Sequence, residues 1–146
     1  MGVDYGKLTM EVLGMKRVLC ILAAVVLLLS LAGCMPISIS EGATGKVVYD
    51  YNGVSFEDDL TADEVAFVAK ILNGKSQDAG LFSGVPSCGF DRDIAIIIGG
   101  TRYALACDKC GTLQNCSTLA YIHISDSERQ ILEEIFTSRG GKFPCI

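Results

Sequence analysis

The chain predicts an α+β fold, an antiparallel sheet with two helices packed on one face, in the order ββαβββα. Three observations carry that expectation. Apolar residues alternate with polar ones in two short runs ahead of Leu60, and further strand-like runs follow between Ile94 and Ile124. Two segments with helical spacing, after Thr61 and after Ser125, each open on a capping box, and the turn pairs Asn52-Gly53 and Gly99-Gly100 fall between strand-like runs. Strand runs interleaved with only two helices leave both helices to cover one sheet face.

Taken in order, Val47, Tyr49 and Tyr51 alternate with Val48 and Asp50, and Val54 and Phe56 with Ser55 and Glu57. Asn52-Gly53 between them is a strong hairpin signal, because both turn residues must accept positive φ. Pairing across it sets Tyr51 opposite Val54 and Tyr49 opposite Phe56, an apolar face, and leaves Asp50 and Glu57 in water. Thr61-Ala62-Asp63-Glu64 starts a helix over about Ala62 to Leu72, with Val65, Val68, Ile71 and Leu72 as its stripe and Asn73-Gly74 as its stop. A Gly/Ser-rich loop runs from Gly74 to Gly89. Ile94 to Ile98 reads as a buried strand, Gly99-Gly100 as a tight turn, Thr101 to Cys107 as the returning strand, and Thr118 to Ile124 as another. Ser125-Asp126-Ser127-Glu128 then opens a second helix, with Ile131, Leu132, Ile135 and Phe136 buried and Gly140-Gly141 at its end.

Ahead of this domain, Lys16 and Arg17 precede an apolar run from Val18 to Leu29, and small residues then lead to a cysteine, the layout of a secretory leader. Even extended from Val18 to Ala32, the run is shorter than the about twenty residues that span a bilayer, and it stops at Gly33-Cys34 rather than at a basic cluster. Leu31-Ala32-Gly33-Cys34 resembles the lipobox of bacterial lipoproteins, a resemblance that covers Met15 to Cys34 and no more. It implies a signal peptide cleaved between Gly33 and Cys34, and a diacylglyceryl thioether on Cys34 whose acyl chains, of the palmitate kind, anchor the mature N-terminus. It also implies a protein of the cell envelope, outside the cytoplasmic membrane. Met35 rather than Asp after the acceptor resembles outer-membrane sorting where the cell has two membranes.

The stretch before Met15 carries Asp4 and Glu11, acid where a leader wants base. Met10-Glu11-Val12 back-translates to a sequence containing a ribosome-binding site, so residues 1–33 read as an upstream segment plus signal peptide with the true start at Met15. Residues 34–45 read as the lipid anchor and a Ser/Gly/Pro-containing tether. Residues 46–146 form one globular domain with a modest core. From Cys34 onward nine basic residues stand against fifteen acidic ones, a formal charge of −6. Such a domain is a poor partner for phosphate backbones and for anionic lipid headgroups, which argues against nucleic acid as a partner class.

Five cysteines remain for an exported domain, Cys88, Cys107, Cys110, Cys116 and Cys145, and outside the cytosol they are disulfide candidates. Across the Gly99-Gly100 turn, residues whose numbers sum to 199 face each other, so Arg92 lies opposite Cys107. Cys88 then continues toward the segment from Cys107 to Cys110, with Cys110 its expected partner and Cys107 the alternative. Cys145 can pin the C-terminus to the Cys107–Cys116 loop. An odd number leaves one unpaired.

Sharper chemistry competes for the same residues. Cys107-Asp108-Lys109-Cys110 is a C-x-x-C, but Gly111 to Asn115 after it reads as a loop rather than the helix whose N-terminus stabilises a thiolate. Zinc held by Cys88, Cys107, Cys110 and Cys116 lacks the second tight ligand pair of a structural site. His123, the sole histidine, reads as a partly exposed strand residue rather than half of a Cys-His nucleophile with Cys107 or Cys116. Glu57, Asp58, Asp59, Asp63 and Glu64 lack the pattern of a calcium loop and read as solvated surface.

The expectation is a small lipid-anchored binding module with structural disulfides, without catalytic residues, metal or cofactor, that contacts the membrane through Cys34. Its ligand is a protein, peptide or envelope component of unspecified identity, and its oligomeric state is open. The competing classes are a thiol-dependent redox or nucleophile enzyme and a zinc protein. The loops from Gly74 to Gly89 and from Asp108 to Ser117 are the expected contact surfaces.

Overall fold

The computed structural model describes residues 36–78 and 89–144. The leader, Cys34, Cys88 and Cys145 lie outside the described residues. The hairpin comes first, with β1 over Gly45–Tyr51 and β2 over Val54–Asp59. Asn52 and Gly53 both take positive φ, 50° and 79°, which sets the expected register of Tyr51 on Val54 and Tyr49 on Phe56. The Tyr49 and Phe56 rings stack with centroids 5.2 Å apart.

Helix α1 covers Ala62–Leu72. Thr61 closes its N-terminus, its Oγ1 accepting from the Glu64 backbone N–H at 3.2 Å while Glu64 Oε2 accepts from the Thr61 N–H at 2.8 Å. Val68, Ile71 and Leu72 are buried, each worth about 1.5–3 kcal/mol relative to exposure. Strand β3 spans Phe90–Ile98 and β4 Thr101–Ala106, joined by Gly99 and Gly100 at φ 56° and 78°. Then follow β5 over Thr112–Asn115, β6 over Tyr121–His123 and helix α2 over Asp126–Thr137, capped by Ser125 and Glu128.

The strands form one six-stranded antiparallel sheet in the order β2-β1-β3-β4-β5-β6. Val47, Ile96 and Tyr103 follow one another along one rung, and Leu105, Leu113 and Ile122 along another. These side chains share a face and join Val68, Leu72, Leu132, Ile135 and Phe136 in one core, so both helices belong to that face. Tyr49, 1% exposed, ties the layers together: its ring meets Phe136 and its hydroxyl bonds both the N–H and the carbonyl of Lys142 beyond α2.

The structure departs from the sequence reading at two places in the sheet. Thr112–Asn115, expected as loop, is a strand, and the strand expected from Thr118 contracts to Tyr121–His123, so the element order is ββαββββα. Gly111 makes the extra pairing feasible: a Cβ there would sit 2.2 Å from the Ile124 carbonyl oxygen, so only glycine lets the two chain segments close. Second, the β3–β4 register shifts between Phe90 and Ala95, placing Phe90 opposite Ala106. The expected juxtaposition of Arg92 and Cys107 is therefore incorrect; the bulge moves Cys107 next to Gly89, whose carbonyl accepts its N–H at 3.2 Å.

Candidate functional site

A broad concavity lies along the flank of α1. The chain approaches β1 through residues 36–44, which contain no strand or helix but are held at several points. Ile37 is buried, its N–H donating to the Lys75 carbonyl at 3.0 Å and its carbonyl accepting from Gly74 N–H at 2.9 Å. Asn73, at the end of α1, clips Ile39 on both sides, Oδ1 accepting from its N–H at 2.6 Å and Nδ2 donating to its carbonyl at 3.4 Å. At the far end the Leu60 N–H donates to the Gly45 carbonyl at 2.9 Å. The segment expected as a tether thus lies across the domain as a strap.

Between strap and helix is a groove of about 810 Å³ lined by Ile39, Ala43, Leu60, Val65 and the alanines at 62, 66 and 69, with Asn73, Glu41 and Asp59 at its edges. The alanines explain the space: they recur at helical spacing beside the core stripe, and methyl side chains leave the strap standing off the helix. An apolar channel of this size with a few polar groups matches what small ligands and short peptides occupy. Ala62, Ala66 and Ala69 at that spacing are its only signal in the sequence.

A second, smaller groove of about 450 Å³ runs between the helices, where Phe67 and Ile131 are exposed between Glu64 and Glu134. One wall is fixed by Arg139, whose guanidinium meets both Glu64 oxygens at 2.8 and 2.9 Å and also donates to the Ile135 carbonyl. The Arg139 guanidinium holds the Glu64 carboxyl down to about 2, with the Thr61 backbone assisting. The neighbouring acids are likewise used by the surface: Asp58 lies 3.6 Å from Arg139, and Glu57 pairs with Lys46 at 2.8 Å, each partner pulling the other toward its charged form. Asp59 and Asp63 are exposed.

Cys107 and Cys110 lie at the end of the sheet away from the strap, and Cys116 lies at the strap end, just beyond β5. Cys107 ends β4 and is buried, Cys110 is exposed, and Cys116 is buried beyond β5, its thiol 3.9 Å from the Gln114 carbonyl. Burial pushes the Cys107 thiol up and outweighs the opposing backbone hydrogen bond at Asp91 and the Arg129 charge, with the negative charges of Asp91 and Asp108 adding to the rise. A thiol held in its protonated form is a poor nucleophile. Between Cys107 and Cys110 the backbone turns on Asp108, whose Oδ1 accepts the Cys110 N–H at 2.9 Å, and β5 rather than a helix follows. The loop is clamped from α2 by Arg129, 5% exposed, which donates to the Cys110 carbonyl at 2.7 Å and the Ala106 carbonyl at 3.1 Å, meets Glu133 at 2.6 Å and lies over the Phe143 ring. Among the described residues no three of His, Cys, Asp or Glu converge as a metal site. His123 is exposed on β6, on the other side of that strand from fully buried Ile122.

Of the two expected contact loops, Asp108 to Ser117 contains strand β5 at Thr112–Asn115 between two turns, and in the other the residues beyond Asp78 lie outside the described part until Gly89. The described portion is built in: Asp78 pairs with Tyr121 through both backbone groups, and Gln77 accepts from Asn115 Nδ2 at 2.9 Å. Comparison of the chain with protein-family models, with curated proteins and with solved structures gives no match.

Proposed function

We propose that this protein is a small lipid-anchored binding module of the cell envelope, held to the membrane through Cys34 and receiving an apolar segment or small amphipathic ligand in the groove between its strap and α1. The observation that carries the binding reading is that groove, about 810 Å³, whose apolar residues are accompanied by Ser40, Glu41, Thr44, Asp59 and Asn73. A non-catalytic role is favoured because burial holds the Cys107 thiol in its protonated form, in which it is a poor nucleophile. The anchor rests on the lipobox resemblance, and disulfides from Cys88 to Cys110 or Cys107 and from Cys145 to the Cys107–Cys116 loop remain part of the proposal.

A photo-crosslinking residue at position 66 reads the groove directly, because Ala66 lines it yet is exposed. Expressed in an envelope-bearing host, that variant should give discrete adducts, and the same residue in place of Gln130 on α2 should give none. Adducts that survive an added Ala69→Arg block, or appear equally at position 130, would refute the assignment.

A further inference from the structure

The strap sets where the membrane must be. Ile37 is fixed to Gly74 and Lys75, and only Met35 and Pro36 separate it from Cys34. Three residue steps reach at most about 11 Å. If Cys34 carries the lipid, as the proposed function holds, the domain sits against the bilayer with its strap end inward.

Several turns share that end of the sheet. The Gly99 N–H reaches the Thr44 carbonyl at 3.5 Å, Gly45 pairs with Ile98, and the Cys116 N–H donates to the Arg102 carbonyl at 2.9 Å. The start of β1, the β3–β4 turn and the β5–β6 loop are thus successive neighbours, about 4.8 Å apart per strand. The domain carries a formal charge of −6, yet residues 36–44, Gly99-Gly100 and residues 116–120 contain Glu41 as their single charged side chain. Charge borders these segments with Lys46, Asp59 and Arg102 on the adjoining rungs, with Asp78 paired to Tyr121, and with Arg92, whose guanidinium donates to the Cys116 carbonyl at 2.5 Å.

Leu119 stands in the β5–β6 loop, 57% exposed and at φ 61°, a left-handed conformation that costs a leucine and suits glycine or asparagine. The loop enforces it. The Leu119 N–H donates to the Asn115 carbonyl at 2.8 Å, Asn115 Oδ1 accepts from Ser117 and Thr118, and the Asn115 N–H returns to the Ala120 carbonyl at 2.9 Å. A rigid loop that displays a strained leucine in a charge-poor surface, at the end where the chain enters, is built for an apolar contact.

We infer that Leu119 is a membrane-inserted side chain, the second contact of a domain whose first is the lipid on Cys34. One lipid attachment with two acyl chains supplies the affinity; Leu119 fixes the domain's orientation on the surface.

The chain contains no tryptophan, so Leu119→Trp introduces a single reporter, with Thr118→Trp as a neighbour should the first variant fold poorly and Phe67→Trp on the outer side of α1 as the control. The full chain, made in a lipoprotein-processing bacterium, is checked for the lipid by intact mass and reconstituted in phosphatidylcholine/phosphatidylglycerol vesicles with brominated acyl chains. The indole introduced at position 119 or 118 should shift to shorter wavelength and lose at least about half its emission, with the indole at position 67 unchanged. Separately, Leu119→Asn should melt higher in solution, since asparagine accepts the left-handed φ. Lipid-bearing protein in which the reporters at positions 119 and 118 are no more quenched than the control at position 67 overturns the insertion and leaves the anchor standing. Absence of the lipid mass overturns the anchor and the insertion with it.

Discussion

Replacing Glu64 by glutamine isolates one electrostatic contact, because glutamine preserves the capping geometry with Thr61 while removing the charge that faces Arg139. The pair is bidentate and largely shielded, with side-chain exposures of 20% and 17%. A carboxyl drawn from 4.5 to about 2 corresponds at full strength to about 3 kcal/mol. The bridge still touches solvent, so about 1–2 kcal/mol is the expected share. The sign follows from the direction of the shift: the folded carboxyl titrates below the unfolded one, so its stabilisation is complete above about 4.5 and is lost as pH falls toward 2. Urea unfolding of the native chain and E64Q at pH 7, 5, 3.5 and 2.5 should show a gap of about 1–2 kcal/mol at the two higher values that closes at the lowest. A gap of constant size across that range would refute the electrostatic origin and assign the loss to packing or capping.

Other expectations follow from single contacts. Gly111→Ala drives a Cβ to 2.2 Å from the Ile124 carbonyl oxygen and should cost about 3 kcal/mol or fail to fold, whereas Gly53→Ala, which meets nothing within 4 Å, should cost only about 1 kcal/mol of backbone strain; urea midpoints compare them. Arg129→Met withdraws donors from the Ala106 and Cys110 carbonyls and should cost about 2–4 kcal/mol, with faster proteolysis within residues 107–111. Tyr49→Phe deletes the hydroxyl that bridges both backbone groups of Lys142 and should cost about 1–2 kcal/mol by thermal melting, with greater loss of amide protection beyond Gly140 than in β4. Iodoacetamide should label Cys107 in the folded protein at least about tenfold more slowly than a model peptide at about pH 7.5, read by peptide mass spectrometry; faster labelling would return the thiol to the list of nucleophiles.

The elements legible in the sequence are those whose signal is local. Thr61 with Glu64 and Ser125 with Glu128 mark both helix starts, since each capping box is closed by residues three apart. Asn52-Gly53 sets the first hairpin because the turn alone determines its register. Strand β5 was hidden because Thr112–Asn115 is short, flanked by turn-forming residues, and paired only because Gly111 admits the Ile124 carbonyl, a contact between residues far apart in the chain. The bulge between Phe90 and Ala95 escaped for a related reason. Two-residue-turn arithmetic holds only while the ladder is regular, and nothing in Asp91-Arg92-Asp93 announces where it breaks.

The groove follows the same division. Apolar spacing picks out the stripe that α1 buries, Val68, Ile71 and Leu72, while a cavity is formed by what is too small to fill it. Ala62, Ala66 and Ala69 become meaningful only once a second chain segment lies opposite, and the strap does so through Asn73 and Lys75, residues that in sequence merely end a helix. The composition of residues 36–44 reads as a tether because Ser and Gly mark it; the two isoleucines decide otherwise, Ile37 by entering the core and Ile39 by presenting its backbone to Asn73. The groove and the short reach to Cys34 therefore have one cause: the fastening that holds the strap beside α1 also leaves the chain almost no slack ahead of it. Loosening that fastening with Asn73→Ala removes both bonds to Ile39 at once, so groove adducts at position 66 and bilayer contact at position 119 should weaken together. If only one of them changes in that variant, the strap does not couple ligand site and anchor.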